Sequence, residues 1–329
     1  MPRRTHRTRR TRPGPTVLPG RTVPVAGSIA AQSPHHCRTS PFPSRLSYDS
    51  ESMRCREGRT PRTLILPLAP TGPMIPRMPP LLTIHFLPTT VESVRLAGTV
   101  AVMIDVLRAS TTVTHALAAG CDSIRPCRDV VEARQLAART PACPDKLGPL
   151  LAGERGGTRI DGFDLGNSPS HFTTTAVGGR TIIFTTTNGT SALEHCRPAD
   201  MVLVAAFCNI RAVAATLVQR NQPVHLVCAG TDGEITAEDC LCAGAIGLEL
   251  QGHGGFDTHS HDATRIAISR YQQLAHDSKQ LLAELRDSHG GRNLQKLGFD
   301  DDIAFACRHD TIDLVPVFDT HSSTIRTLS

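Results

Sequence analysis

The sequence of 329 residues lacks tryptophan, and aromatic residues make up only 4% of it. Hydrophobic residues still account for 40%, so Leu, Val, Ile and Ala must fill the core. Such side chains are typical of parallel strands that are covered on both faces. The composition therefore predicts an α/β protein with one large or two ordinary domains.

Long apolar runs are also missing, since none approaches the roughly 20 residues that a membrane-spanning helix needs. The basic first segment, MPRRTHRTRRTRPGP, is not followed by an apolar stretch, which argues against a signal peptide. Its Arg-rich, acid-poor composition also fits a transit peptide. We expect a cytoplasmic protein without a membrane partner.

The eleven cysteines include no CxxC pair, and Cys240 and Cys242 form only a CxC. An odd number of cysteines without a regular framework spacing predicts free thiols in a reducing compartment. The histidine-rich loop 252–262 has irregular spacing, which favours a solvated loop over a zinc site.

Lysine is absent from residues 1–77, which contain fourteen Arg, thirteen Pro and three acidic residues. Removing this segment from the 35 basic and 30 acidic residues of the chain leaves 21 and 27, a net charge of −6 for residues 78–329. We therefore predict a disordered basic leader, or a mis-assigned start with Met78 as the true one, followed by a folded domain over 78–329. Nucleic acid is not the predicted partner of that domain. The alternative is a non-enzymatic anion- or nucleic-acid-binding protein that uses the leader.

From residue 78 onward, strand-like apolar runs alternate with helical runs, which predicts helices layered around a mostly parallel sheet. Pro316 places the last strand near a sheet edge. Strands are predicted at 81–87 and 99–107, in three strand–turn–helix units that begin at 181, 200 and 224, and at 302–310 and 311–318. Helices are predicted at 110–120, 128–139, 168–179 and 263–288.

Segment 153–169, GERGGTRIDGFDLGNSP, contains five glycines and fits neither the helical nor the strand period. Glycine-rich backbone can approach an anion closely. We interpret the segment as a loop that closes over a ligand. Asn167 and Ser168 would start a helix at Pro169, whose N-terminal amides face the anion.

Polar residues follow the predicted strands at their carboxyl ends, where ligands bind in parallel α/β sheets. Asp105 and Arg108 lie at the end of 99–107, TTTNGT follows 181–184, and GTDG follows 224–228. Arginine and helix N-termini bind phosphate. Because carboxylates near an anion would repel it, a divalent cation must lie between them, and oxygen ligands indicate Mg²⁺.

Each of these signals has a plainer alternative. The TTTNGT segment could be an ordinary turn, and Asp232 could be a turn or cap residue. Arg155 and Arg159 are the available cationic contacts for a second anionic group, or else solvated surface residues. The functional interpretation is stronger for Asp105, because burying an unpaired carboxylate within an apolar strand is costly in free energy.

Five separate motifs, in order along the chain, resemble one family. They are VMIDVLRASTT, GERGGTRIDGFDLGNSP, FTTTNGT, CAGTDGEITAEDCLCAGAI and SHGGRNLQKLGFDDDIAFACRHDTIDLVPVF. Over about residues 80–320 the chain is similar to the 2-phosphosulfolactate phosphatase (ComB) family of coenzyme M biosynthesis. The resemblance implies a ComB-like α/β fold and a Mg²⁺-dependent acid phosphatase that converts (2R)-2-phospho-3-sulfolactate to 3-sulfolactate and phosphate. The substrate could also be another small phospho-hydroxy acid, and the sequence leaves open whether the protein is a homo-oligomer.

The residues and the resemblance together give three overlapping groups of candidates. The catalytic candidates are Asp105, Arg108, Glu154, Asn188 and Asp232. The substrate-binding candidates are Arg155, Asn167, Ser168, Thr187, Gly189 and Thr231. The metal-binding candidates are Asp105, Glu154, Asp232 and Asp239.

Two mechanisms fit these candidates. In the first, which we favour, Mg²⁺ held by the acids orients a water molecule for attack on phosphorus. In the second, Asp105 attacks and forms an aspartyl phosphate. Phosphatases of that second type carry another Asp two residues later, a position that is Leu107 here.

Overall fold

The computed structural model describes residues 78–140 and 148–328. The described strands are β1 Leu82–His85, β2 Val100–Ile104, β3 Ser123–Pro126, β4 Leu150–Arg155, β5 Thr158–Arg159, β6 Thr181–Thr185, β7 Met201–Ala205, β8 Val224–Cys228, β9 Pro316–Asp319 and β10 Thr324–Thr327. The described helices are α1 Ala109–Ala118, α2 Val130–Arg139, α3 Thr174–Val177, α4 Gly189–His195, α5 Ile210–Arg220, α6 Ala237–His253, α7 Asp262–Leu274, α8 Ser278–Asp287, α9 His289–Lys296 and α10 Asp300–Ala306. Of these helices, none is long and apolar enough to cross a membrane.

The strands form one sheet in the order β1-β8-β2-β7-β9-β10-β3-β6-β4-β5. Two parallel groups, β1-β8-β2-β7 and β3-β6-β4, flank the antiparallel pair of β9 and β10. The predicted α/β fold with a mostly parallel sheet is therefore confirmed. Because β9 and β10 reverse direction, however, the second parallel group runs opposite to the first when it is followed along the sheet.

Strand β2 is buried on both faces, as its continuous apolar sequence predicts. Val102 and its neighbours on one face belong to a core shared with α5 and α6. Met103 on the other face shares a core with Ile182 of β6 and with α1 and α4. Four strands separate β2 from β6, so a flat sheet would hold them on the order of 24 Å apart. The sheet therefore curves around α1 and α4, which brings the carboxyl ends of β2 and β6 together.

Two predictions for the C-terminal third are wrong. Residues 302–310 begin inside α10 instead of forming a strand, and three aspartates, Asp300 to Asp302, fill its first turn. Negative charge is favourable at a helix N-terminus. The predicted helix 263–288 is divided into α7 and α8, because the Asp277 side chain accepts hydrogen bonds from the Lys279 and Gln280 amides and starts a new helix.

The position predicted for Pro316 is also wrong. Strand β9, which it begins, lies inside the sheet between β7 and β10. Proline is tolerated there because it is the first residue of the strand.

The cysteine prediction can be checked for eight of the eleven residues, and all eight are free thiols. Burial raises the pKa of the Cys196 thiol to about 12, as expected for an inert core residue. In the histidine-rich loop, His253, His259 and His261 are exposed. The predicted leader 1–77 lies outside the described residues, so the proposed domain boundary stays a prediction.

Candidate active site

A cleft lies where β2, β4, β6 and β8 end, beside α9. Eight of the twelve candidate residues line it: Asp105, Arg108, Glu154, Asn167, Thr187, Asn188, Thr231 and Asp232. The other four, Arg155, Ser168, Gly189 and Asp239, are not among the lining residues. The structure thus brings most of the candidates together from five separate stretches of the chain.

Asp105 lies between β2 and α1 and is only 8% exposed. Its Oδ1 accepts a hydrogen bond from the Ala109 amide (3.1 Å) at the start of α1, whereas no described residue donates to Oδ2. Burial raises its pKa to about 7, and the carboxylates of Glu154 and Glu238 add to the rise, against the Ala109 hydrogen bond and the charge of Arg108. Asp105 therefore presents one free carboxylate oxygen that exchanges a proton near neutral pH.

Gly189 explains how two chain segments approach each other at Asp105. A Cβ atom at this position would lie 2.6 Å from Asp105 Oδ2 and 2.7 Å from the Ala109 methyl group. Any side chain would therefore displace the carboxylate. The glycine therefore makes room behind the cleft, and its predicted role in substrate binding stays a prediction.

Arg108 is buried, and a buried charge needs partners. Its guanidinium donates to Asp302 Oδ2 (2.6 Å) and to the Gly157 carbonyl (2.6 Å), and it lies over the Phe299 ring, 4.6 Å from the centroid. Ser168 Oγ donates to the other oxygen of Asp302 (2.5 Å). Since a guanidinium has five N–H donors, Arg108 keeps donors for a ligand while Asp302 fixes its orientation.

Segment 153–159 is a hairpin although its sequence fits no strand period, and its role as a loop that closes over a ligand stays a prediction. Strands β4 and β5 pair, and Gly156 and Gly157 form the two-residue turn between them. Both have φ > 0, 56° and 84°, as a type I′ turn requires. The glycines at the cleft therefore serve turn geometry first.

Glu154 joins this hairpin, through hydrogen bonds, to the turn that follows β6. Its Oε2 accepts from the Gly157 amide (2.7 Å) and its Oε1 accepts from the Thr187 amide (2.8 Å). Asn188 makes the next link, because its Oδ1 accepts from the Asp232 amide (3.1 Å). Three turns are thus joined in series around the cleft.

The predicted helix 168–179 is wrong in its first half. Pro169–His171 is a single 3₁₀ turn, and α3 follows separately. The Ser168 side chain does not cap the turn, because it bonds to Asp302. A helix N-terminus that faces an anion at Pro169 is therefore not present. Asn167 remains of interest, because it is 5% exposed, it lines the cleft, and its Oδ1 has no hydrogen-bond partner.

Asp239 lies beneath the cleft instead of in its wall. Its Oδ1 accepts from the Val106 amide (2.8 Å) and its Oδ2 accepts from the Gly230 amide (3.0 Å), which ties the ends of β2 and β8 together. Burial raises its pKa, and the charges of Glu238 and Asp105 add to the rise. Both carboxylate oxygens of Asp239 are thus engaged by backbone amides, and its predicted role as a metal ligand stays a prediction.

The four metal-binding candidates are not arranged as a set of ligands around one metal position. Within residues 78–140 and 148–328, no group of three His, Cys, Asp or Glu side chains is arranged to hold a metal ion. Asp232 is exposed at the cleft with φ of 53°, and no described residue donates to its carboxylate. Asp105 and Asp232 are therefore the candidate acids with uncommitted oxygens.

Arg155 turns away from the cleft. Its Nη1 donates to the carbonyl of Glu154 (2.7 Å), and its Nη2 donates to Thr185 Oγ1 (2.9 Å). Arg159, the other predicted cation, lines a second cavity next to the cleft.

Sequence reasoning missed several residues of the site. Gly290, Asn293 and Leu294 of α9 line the cleft, and Asp302 orients Arg108. The SHGGRNLQKLGFDDD segment contains all four, but they do not follow a strand. The only signal for them was the resemblance of that segment to the family.

Substitutions at Gly156 test whether the backbone conformation of the hairpin turn matters for turnover, without a clash of the new side chain. No atom lies within 4 Å of a Cβ placed at Gly156. We expect Gly156→Val to lower turnover at least about tenfold, because β-branched residues disfavour φ > 0, and Gly156→Asn to stay within about twofold, because Asn tolerates this region. Turnover and melting temperature would be measured for both variants. Equal kinetics in both would show that the turn conformation does not matter for the cleft.

Comparison with known proteins adds an independent finding. A protein-family model described as 2-phosphosulpholactate phosphatase matches residues 85–321. A probable 2-phosphosulfolactate phosphatase of Symbiobacterium thermophilum is 41% identical over 223 residues, which cover 68% of this chain and 92% of the relative. A protein of Synechococcus sp. with the same description is 43% identical over 221 residues, 66% of this chain and 87% of the relative.

Proposed function

The chain belongs to the 2-phosphosulpholactate phosphatase family, and from that premise we propose that it hydrolyses (2R)-2-phospho-3-sulfolactate to 3-sulfolactate and phosphate. As the family resemblance implies, this reaction would serve coenzyme M biosynthesis, and the cysteine pattern leads us to place it in the cytoplasm. One observation in particular supports the proposal. The cleft combines a buried arginine with a buried carboxylate that has a free oxygen.

Arg108 suits the phosphoryl group. Its guanidinium is held rigidly by Asp302 and Gly157, so donors that remain free are aimed before the substrate arrives. Fixed donors of this kind stabilise charge that develops on the phosphoryl oxygens without reorganising. In phosphoryl transfer, positioning and charge stabilisation provide nearly all of the catalysis.

The donor set of the cleft fits Mg²⁺. Asp105 and Asp232 line the cleft and have carboxylate oxygens to which no described residue donates, and Asn167, which also lines it, has a buried amide oxygen without a hydrogen-bond partner. One or two carboxylates together with substrate phosphate are the usual Mg²⁺ ligands in proteins. When bound there, the ion would neutralise phosphoryl charge and orient the attacking water.

Asp105 can serve the attacking water directly. Burial raises the pKa of Asp105 to about 7 when no cation is bound, and a cation beside it would lower that value, so the carboxylate stays ionised at neutral pH and is able to accept a proton from the attacking water. The water oxygen bonds to phosphorus as its proton passes to Asp105, the bond from phosphorus to the ester oxygen breaks, and the departing sulfolactate oxygen takes up a proton from solvent while Asp105 returns its proton to solvent. We favour this route over attack by Asp105 itself.

Phosphate release by the purified full-length chain tests the function. We expect turnover of 2-phosphosulfolactate to fall at least about tenfold in excess EDTA and to return with added Mg²⁺, since a Lewis acid supplies several kcal/mol. A zinc-restricted chelator serves as the control for trace metals. Full turnover in excess EDTA would contradict the metal proposal, and no turnover with any divalent cation would contradict the activity.

A further inference from the structure

A second cavity adjoins the candidate active site. It shares Arg108, Gly157 and Asn167 with the cleft, and it is also lined by Arg159 and His171. The cleft and this cavity therefore share the wall that contains Arg108.

The two cavities differ in charge. The cleft contains the carboxylates of Asp105, Glu154 and Asp232 against the single cation Arg108. The second cavity contains Arg108 and Arg159 against one acid, Asp164, whose Oδ2 accepts from the Leu151 amide (2.8 Å). An anion that arrives without a metal ion is therefore favoured in the second cavity and disfavoured in the cleft.

Arg159 is free to bind a ligand. Its one described hydrogen bond runs from Nη1 to the Asp164 carbonyl at 3.3 Å. The guanidinium has five donors in all. The guanidinium of Arg155, four positions earlier on the same hairpin, instead donates hydrogen bonds to Thr185 and to backbone carbonyls.

We propose that the Arg159 cavity binds the sulfonate of the substrate and that Arg159 is the residue that distinguishes this substrate from phosphate esters without a second strong acid. The assignment rests on the proposed function. A sulfonate stays ionised and offers three acceptor oxygens, which suits arginine better than a Mg²⁺ site. In the substrate, the phosphate oxygen and the sulfonate are on adjacent carbons, so one molecule spans two cavities that share the wall containing Arg108.

The test compares two substrates that differ only in the sulfonate, 2-phosphosulfolactate and 2-phospholactate, in the full-length chain. Arg159→Ala should raise KM for 2-phosphosulfolactate about tenfold, which corresponds to the loss of one charge-assisted hydrogen bond. It should leave KM for 2-phospholactate within about twofold and kcat unchanged for both. Arg159→Lys should restore part of the discrimination. Arg128→Ala is the matched control, because it removes the same charge from a side chain that is 79% exposed and lines neither cavity.

Equal changes for both substrates in Arg159→Ala would overturn the assignment, since they would indicate a structural effect. Unchanged KM values would overturn it as well. A wild-type protein that favours neither substrate would show that no sulfonate site exists. Failure of the wild-type protein to hydrolyse either compound would instead refute the proposed function, and the assignment with it.

Discussion

Replacement of Asp105 by Asn is expected to lower turnover by about a thousandfold or more while the metal-free protein becomes more stable at neutral pH. The loss of activity follows from geometry. Asp105 is the one buried acidic residue in the cleft wall with a carboxylate oxygen that no described residue engages, and the amide of Asn can neither accept a proton from water nor balance the charge of a cation. Removal of a positioned general base alone typically costs about a hundredfold to ten-thousandfold.

The gain in stability follows from proton linkage. In the folded protein, burial raises the pKa of Asp105 to about 7, whereas the ordinary value is 3.8. Between these two values the folded state binds more protons than the unfolded chain, so the free energy of unfolding falls as the pH rises. The charged carboxylate therefore lowers the free energy of unfolding above its raised pKa, by an amount on the order of a few kcal/mol, and the uncharged Asn avoids this penalty.

Thermal unfolding in EDTA at pH 4, 5.5, 7 and 8 measures this effect. The difference in melting temperature between Asp105→Asn and wild type should be small at pH 4 and should grow up to pH 7. Asp161→Asn, at an exposed position, is the control and should show no such trend. A variant with wild-type turnover would move the chemistry elsewhere, and a variant that is destabilised at pH 8 would contradict the raised pKa.

A site residue could be predicted from the sequence when it directly follows a strand. Asp105, Thr187 and Asp232 were found because they lie at carboxyl ends, and the structure brings them into one cleft. The rule that sites form at the carboxyl ends of parallel strands gave the right residues, even though the strands of this sheet do not all run in the same direction. The antiparallel pair β9 and β10 inverts half of the sheet, and only the curvature around α1 and α4 brings the strand ends together. No local pattern encodes that curvature.

Side-chain partners were beyond the reach of sequence reasoning. Ser168 before Pro169 has the pattern of a helix cap, yet its hydroxyl bonds to Asp302, 134 residues away. The three aspartates at the start of α10 have the pattern of a helix N-terminus, which is correct for the backbone. Nothing local indicates that the third of them is the buried partner of Arg108.

The contact of Arg108 with Asp302 leads to the second large effect. Arg108→Lys is expected to lower kcat/KM by about a thousandfold, because a single ammonium group cannot bond to Asp302 and the Gly157 carbonyl and still present fixed donors to phosphate. Lysine keeps the positive charge beside buried Asp302, so the melting temperature should change little. Arg108→Ala should lose as much activity and also destabilise the protein by about 3–5 kcal/mol, because it leaves a buried carboxylate unpaired.

Asp302→Asn removes the negative charge beside Arg108 but nearly keeps the shape of the side chain, so it tests how far turnover depends on the orientation that the ion pair gives the guanidinium. Arg108 and Ser168 then keep an uncharged partner of nearly the same shape, so kcat should fall only about tenfold as the guanidinium loses its fixed orientation. Added guanidinium ion should partly restore turnover in Arg108→Ala, where it can occupy the vacated space, and should not do so in Asp105→Asn. Wild-type kcat/KM in Arg108→Lys would show that charge alone suffices. In that case the rigid arrangement of Arg108, Asp302 and Ser168 would be a matter of folding and not of catalysis.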